Sequence, residues 1–451
     1  MQMLATEGET KNDIATRMDR LPVTALHCFV VAVCAFGLSF DTLEIALGSI
    51  LAAVFSAPPH IAPARQLSVL LGAIYAGAVI SAPLMGWWAD RHGRRRALTV
   101  LLLWMAATSL AAAATRDLPG LAWMRALSGL ALGAYPPVMI AYLTDLMPPL
   151  RRGLMIFIAS AIATLGPPVA IFLVRWLTPI QPLGVEAWRW GFICGGIGAG
   201  SVGMLTLALP ESPRWLQLKG RATEARAALA VFDRSRTMLQ VRVDPPSEPH
   251  HDGAVALLED GAAASKRSWP KVAALYFLSP WSTVAFPLLS GAVLAQMGFK
   301  LPDTLLYIGL STFGPTIGTA LAATGVDRID RRAALMACAA AMLGCGTAFV
   351  ATDSALWLVV AATAFNLFLS LYIPVLSVYS AELFPTGVRA SSLAGAWALN
   401  RLGAAVAPLF LLPLLRNAGA PSMFAVIAAA LLVGMLVVAL APKGRQRRSI
   451  D

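Results

Sequence analysis

Twelve stretches of predominantly apolar residues run through the 451-residue chain. Each is close to the roughly 20 residues that a helix needs to cross the hydrocarbon core of a bilayer. In lipid every backbone N–H and C=O must be bonded internally, so a chain of this kind folds as a bundle of membrane helices. The spans are predicted near 24–50, 67–89, 97–114, 119–145, 154–177 and 188–209, then near 271–296, 304–325, 333–351, 355–382, 391–415 and 421–441. This predicts an all-α integral membrane protein. Its organisation is a tail (1–20), a six-helix bundle (21–209), a linker (210–270), a second six-helix bundle (271–441) and a tail (442–451). Composition agrees, since only 13% of residues are charged against about 25% in soluble proteins.

The net charge of +11 does not point to nucleic acid, because the basic residues lie in short loops between spans, where they set topology. With both termini inside, Arg65, Arg116, Arg175, Arg189, Lys300 and Arg416 fall outside, Arg125 and Arg401 fall within spans, and every other Lys and Arg is cytoplasmic. The bias predicts a multi-pass protein of the cytoplasmic (inner) membrane with cytoplasmic termini. The first 20 residues do not resemble a cleavable signal peptide, so the first span is expected to direct insertion. The five cysteines form no C-x-x-C pair, and no metal site is expected.

The most specific loop is Gly86-Trp-Trp-Ala-Asp90-Arg91-His-Gly93-Arg94-Arg95-Arg96, between the second and third spans. Gly86 is expected to admit a neighbouring helix and Gly93 to form a tight turn. Asp90 is expected to cap the next helix or pair with an arginine. The pattern returns in part at Asp327-Arg328-x-Asp330-Arg331-Arg332, 237 positions later. Tyr142-x-x-Asp145-x-x-Pro148-x-x-x-Arg152 returns at the same offset as Tyr379-x-x-Glu382-x-x-Pro385-x-x-x-Arg389. One offset kept by two patterns predicts two homologous six-helix halves related by an axis along the membrane normal, with substrate held between them near the midplane.

These motifs resemble those of the major facilitator superfamily. The run Pro210-Glu211-Ser212-Pro213-Arg214-Trp215-Leu216 after the sixth span is similar to the branch containing sugar porters, organic ion transporters and aromatic acid:proton symporters. The resemblance implies an inner gate of acids and arginines at Asp90, Arg94, Asp145, Arg152, Glu211 and Arg214, matched by Asp327, Arg331, Glu382 and Arg389. Salt bridges between the halves would hold the inner side shut; the alternative is that these groups fix loops within each half. The linker between the halves is expected to carry a short surface helix at Arg221–Phe232.

Ionisable groups at membrane depth are costly, about 2.5–3.5 kcal/mol each by insertion scales, and mark function. Asp41 and Glu44 share a helix face in the first span, and neighbouring carboxylates disfavour double ionisation. They suit a proton carrier, the alternatives being a static ion pair or a position near the outer surface. The first helix of the aromatic acid symporters has a similar acidic pair, although here Thr42-Leu43 stand where those proteins have a glycine and an aromatic residue. Arg125 opens Arg125-x-x-x-Gly129-x-x-x-Gly133, similar to the superfamily's helix 4 motif. A buried arginine stays charged and needs an acid or an anionic ligand, and Asp41 or Glu44 is the expected partner; a permanent structural pair or a snorkelled arginine is the alternative.

At the 237 offset these three positions become Leu278, Trp281 and Ala362, so the chemistry is not duplicated. In the second half the candidate substrate contacts are Tyr276, Gln296, Asn366, Tyr372, Asn400 and Arg401, with Arg401 the candidate for an anion. Each has packing or interhelical hydrogen bonding as its alternative role. Gly166-Pro167-Pro168 predicts a kink in the fifth span, and His27 reads as a packed residue rather than a proton relay.

The function expected is proton-coupled symport of a small organic acid anion by alternating access. The partners are the solute and the bilayer, a monomer suffices, and the proton gradient replaces any cofactor; no phosphate-cradling loop is present for ATP. Alternatives are a proton-coupled exporter of drugs or organic cations, a sugar transporter, or a transporter-like ligand sensor. No nucleophile, base and oxyanion donors converge, so the chain is not read as an enzyme.

Overall fold

The computed structural model describes residues 16–19, 21–235, 258–325, 330–384 and 386–441. Asp327 lies outside the described residues, as does the side chain of Arg389. Among the described residues all regular structure is helical. The first half holds α1 (Ala25–Val54), α2 (Ala64–His92) and α3 (Arg94–Ala114), then α4 (Leu118–Leu146), α5 (Arg151–Leu177) and α6 (Ala187–Ala208). The second holds α7 (Ser268–Gln296), α8 (Leu301–Ser311 continued by Phe313–Gly325), α9 (Arg331–Ala351) and α10 (Ala355–Glu382). The final run, Thr386–Leu440, is broken at Gly419, giving α11 (386–418) and α12 (420–440). Gly419 has φ +81°, a conformation that a Cβ disfavours, and Pro421 follows, so the chain reverses there. The result is a twelve-helix, multi-pass integral membrane protein.

Breaks within spans follow from proline. In α5 the helix stops at Ala163 and restarts at Gly166. Pro167 has no N–H for the carbonyl of Ala163 four residues back. Thr42 of α1 fills that place, its hydroxyl donating to Ala163 O at 2.7 Å, and Ser39 donates to Ile162 O at 3.4 Å. The predicted kink thus fastens α1 to α5 on both sides of Asp41. At Gly166 a Cβ would come within 2.2 Å of Ser39 O, so only glycine permits this approach.

The two halves repeat one another in their close contacts. A Cβ on Gly77 of α2 would lie 2.0 Å from Ala126 O of α4, and one on Gly314 of α8 would lie 2.4 Å from Thr363 O of α10. Both residues of each contact differ by 237 positions. Gly129 presses on Ile74 O in the first half. Its counterpart Asn366 donates its amide to Ser311 O, the counterpart of Ile74, at 3.3 Å. The halves meet through α1 with α7, α2 with α11 and α5 with α8.

Gly93 (φ +110°) forms the predicted turn, and its missing side chain admits Glu211, whose carboxylate accepts from Arg95 N at 3.1 Å and caps α3. Among the described residues, a Cβ at Gly86 would meet no atom within 4 Å. The surface helix runs Ala222–Arg234 and packs Phe232 against the His27 ring at 4.8 Å. The segment before α1 is bound to the same region, with Arg17 on Asp233 at 3.2 Å and Ser235 on Thr24 at 2.8 Å.

Overpacking a tight helix contact costs about 1–3 kcal/mol or more. Gly77→Val and Gly314→Val are therefore each expected to lower the melting temperature of the solubilised protein by several degrees, while Gly86→Ala leaves it unchanged.

Candidate functional site

Asp41 lies near the middle of α1, about 24 Å from its start and 20 Å from its end at 1.5 Å per residue. It is 3% exposed, and Glu44 and Arg125 are each 1% exposed. The position near the outer surface considered for the acids, and the snorkelled position for Arg125, do not occur. Asp41 and Glu44 do share a face, yet their surroundings differ. Arg125 donates to the Glu44 carboxylate at 2.9 Å and to the Glu44 carbonyl at 2.8 Å. Phe192 lies 5.8 Å from its guanidinium, and the Ser109 hydroxyl adjoins the same carboxylate. Gly48, one turn beyond Glu44, leaves room for Arg125; a Cβ there would be 3.4 Å from its Nη2. The pair is closed and within the first half.

Asp41, by contrast, forms no ion pair among the described residues, and its Oδ1, like Glu44 Oε1, has no hydrogen-bond partner. The opposite charge that acts on it is Arg401 of α11, from the other half, and the two do not form an ion pair. Arg401 is partly buried and lies 5.9 Å from the Trp397 ring, one turn earlier on the same helix. Tyr276 meets Trp397 edge-on at 5.4 Å. Tyr75 of α2, 4% exposed, interacts electrostatically with both Arg125 and Arg401, and Tyr135 with Asp41. The mid-membrane site therefore contains a matched acid–arginine pair and, beside it, an acid facing an arginine across the boundary between halves.

The other second-half candidates divide. Asn400 is buried next to Arg401 and donates to Ser279 Oγ at 3.0 Å. Asn366 is held in the α8–α10 contact described above. Tyr372 is buried near Tyr276 within the second half. Gln296 is not brought to this site. It donates to Leu415 O at 3.0 Å and lines a separate cavity of about 230 Å3 with Ser56, Ile61 and Arg416.

Among the described residues, the ion pairs at the Gly93 end lie within each half. Arg94 reaches Asp90 at 2.9 Å and Asp145 at 3.4 Å. Ser212 donates to Asp145 at 3.0 Å, and Arg152 acts on the same carboxylate. Glu211 caps α3, and Arg214 binds Asp19 at 2.5 Å. In the second half Arg331 faces Glu382 at 3.6 Å. The reason is geometric. Asp90, Asp145 and Glu211 all sit at helix ends that converge on the start of α3.

Tyr75, Ser109, Tyr135, Phe192 and Trp397 were not singled out from the sequence. Trp397 had a usable signal, its four-residue spacing from Arg401. The others are ordinary residues in apolar runs whose place is set by packing between helices.

Removing one member of a buried ion pair costs about 3–5 kcal/mol, because the other is left unmatched. Arg125→Met is expected to destabilise the solubilised protein strongly, and Glu44→Gln/Arg125→Met to recover most of the loss. A double variant no better than the single one would show that the pair is not what holds α1 to α4.

Comparison with known proteins agrees with this architecture. A family model described as "Sugar (and other) transporter" matches residues 27–443. The inner membrane metabolite transport protein YgcS of Escherichia coli is 26% identical over 436 residues, covering 94% of this chain and 93% of that protein. The niacin transporter NiaP of Acinetobacter baylyi is 24% identical over 408 residues, covering 88% and 89%. Among solved structures, the partially occluded inward-open xylose transporter XylE of E. coli superposes with TM-score 0.74 at 15% identity, over 94% of this chain and 100% of that one.

Proposed function

Because this chain belongs to the sugar (and other) transporter family, we propose that it is a secondary active transporter that moves a small organic acid anion together with a proton by alternating access. The observation that carries this reading is the unequal setting of the two mid-membrane acids. Glu44 is ion-paired with Arg125, whereas Asp41 has no ion-pair partner among the described residues and interacts with Arg401 across the halves. With Asp41 ionised, Arg401 has a counter-charge. A proton on Asp41 removes it, and a buried guanidinium then favours an anionic ligand. A substrate carboxylate takes that role, so proton and anion enter together and the loaded site carries no added charge. Arg125 acts by fixing Glu44 and α4, and Trp397 offers a flat apolar face beside the anion.

An exporter of organic cations fits less well, because Arg401 stands where the cation would meet Asp41. NiaP is named for niacin, which is itself an aromatic carboxylic acid, and so supports an acid over a neutral sugar. Membership of the inner membrane with cytoplasmic termini rests on the arginine-rich Gly93 end, which the segment before α1 shares. Since one chain contains both halves, we take the monomer to be the working unit.

Uptake into proteoliposomes tests the reading, with nicotinate and benzoate as probes and D-xylose as the neutral control. Carboxylate uptake is expected to rise with an inward proton gradient. Asp41→Asn is expected to lose gradient-driven accumulation while keeping exchange, and Arg401→Ala to weaken apparent affinity at least tenfold, the scale of a lost charge-assisted hydrogen bond. Gradient-dependent accumulation that persists in Asp41→Asn, or uptake of xylose with no carboxylate, contradicts it.

A further inference from the structure

Among the described residues, side-chain hydrogen bonds cross between the halves near mid-depth and at one end. Near mid-depth the Thr164 and Thr316 hydroxyls meet at 3.0 Å. At the end remote from the Gly93 turn, two arginines cross the boundary. Arg175 at the end of α5 donates from Nε to Pro302 O at the start of α8, at 3.1 Å. Arg416, near the end of α11, donates to Ala62 O just before α2, and to Phe55 O at 3.4 Å. The two halves thus make the same gesture. The last turn of the fifth helix of each half sends a guanidinium to the entry of the other half's second helix.

The receiving groups suit this. Phe55 is the C-cap of α1, where carbonyls concentrate partial negative charge and favour a cation. Ala62 N donates to Phe55 O at 3.0 Å, which closes the 55–62 loop and turns both carbonyls toward Arg416. His60 contacts Glu186 at the start of α6 at 2.9 Å, so the loop moves with the first half. On the other side, Gln296 holds Leu415 O, which fixes where Arg416 leaves α11. Neither arginine is paired with a carboxylate among the described residues. Carbonyl partners make the contact reversible, because on opening they return to water without leaving a buried unmatched charge.

We infer that Arg175 and Arg416 form a two-point latch that holds the halves together at this end, and that its release accompanies opening of that end. The inference rests on alternating access, but its readout needs neither the substrate nor proton coupling. Ile180 and Asn417 are exposed residues of opposite halves at this end. Spin labels on cysteines at these two sites, in full-length protein in nanodiscs with the exposed Cys28 and Cys194 replaced by serine, report the separation. Arg416→Ala is expected to raise the ratio of separated to closed pairs about tenfold, the scale of one lost charge-assisted hydrogen bond, and Arg175→Ala/Arg416→Ala to raise it further. Arg416→Lys, which keeps a donor, stays near the wild-type distribution. If Arg416→Ala does not fold, Arg175→Ala alone must still widen the distribution by a smaller factor. An unchanged distribution in a folded double variant overturns the latch. A widened distribution in a protein that shows no proton-coupled uptake leaves the latch standing and removes the coupling mechanism instead.

Discussion

A guanidinium at the centre of a membrane protein needs a partner that cannot leave, and Glu44 is that partner for Arg125. The bond joins α1 to α4 in the middle of the first half. Glycines at 77 and 129 bring α4 against α2, and the broken α5 is tied to α1 through Ser39 and Thr42. Around that fixed pair the backbone of α1 has little freedom. Asp41, one turn away on the same face, is consequently presented to the second half in a set orientation, near Arg401 and without an ion-pair partner among the described residues. One acid is used for structure, and this leaves the other available for chemistry.

The scaffold is symmetric where it packs and asymmetric where it reacts. The 237-residue offset relates Gly77 on Ala126 to Gly314 on Thr363, but places Leu278, Trp281 and Ala362 where the first half has Asp41, Glu44 and Arg125. The second half supplies instead a cation, Arg401, at the shared boundary. In the mechanism we propose, a duplicated fold whose charges are not duplicated separates the proton site from the anion site, and the two ligands are coupled through a shared electrostatic partner rather than through a long relay.

Much of this was legible in the chain itself. Spans of bilayer length defined the helices, and a repeated motif offset predicted two halves. Charged residues inside apolar runs marked the candidate site because the bilayer makes them costly. What escaped was whatever depends on the depth at which two helices cross. Whether Arg125 meets Asp41 or Glu44 is a choice between positions about 4.5 Å apart along α1, below what span boundaries resolve. Gln296 looked equivalent to Asn400 by residue type, yet it sits one end of a helix away. Gly86 read as a packing glycine because of its motif, although none of the described residues packs on it. Thr42 looked like a departure from a family pattern, and its hydroxyl proves to complete the hydrogen bonding of a proline break in another helix.

The central claim is that Asp41, and not Glu44, exchanges its proton as an anion reaches Arg401. Proton uptake on ligand binding tests it most directly. In weakly buffered detergent solution, at a pH high enough that Asp41 is ionised before the anion binds, addition of nicotinate to the purified protein should draw about one proton from the medium per anion bound, since linkage requires that each ligand favour the other. The same uptake should persist in Glu44→Gln/Arg125→Met and vanish in Asp41→Asn, in which the anion still binds. Undiminished proton uptake in Asp41→Asn would contradict the account.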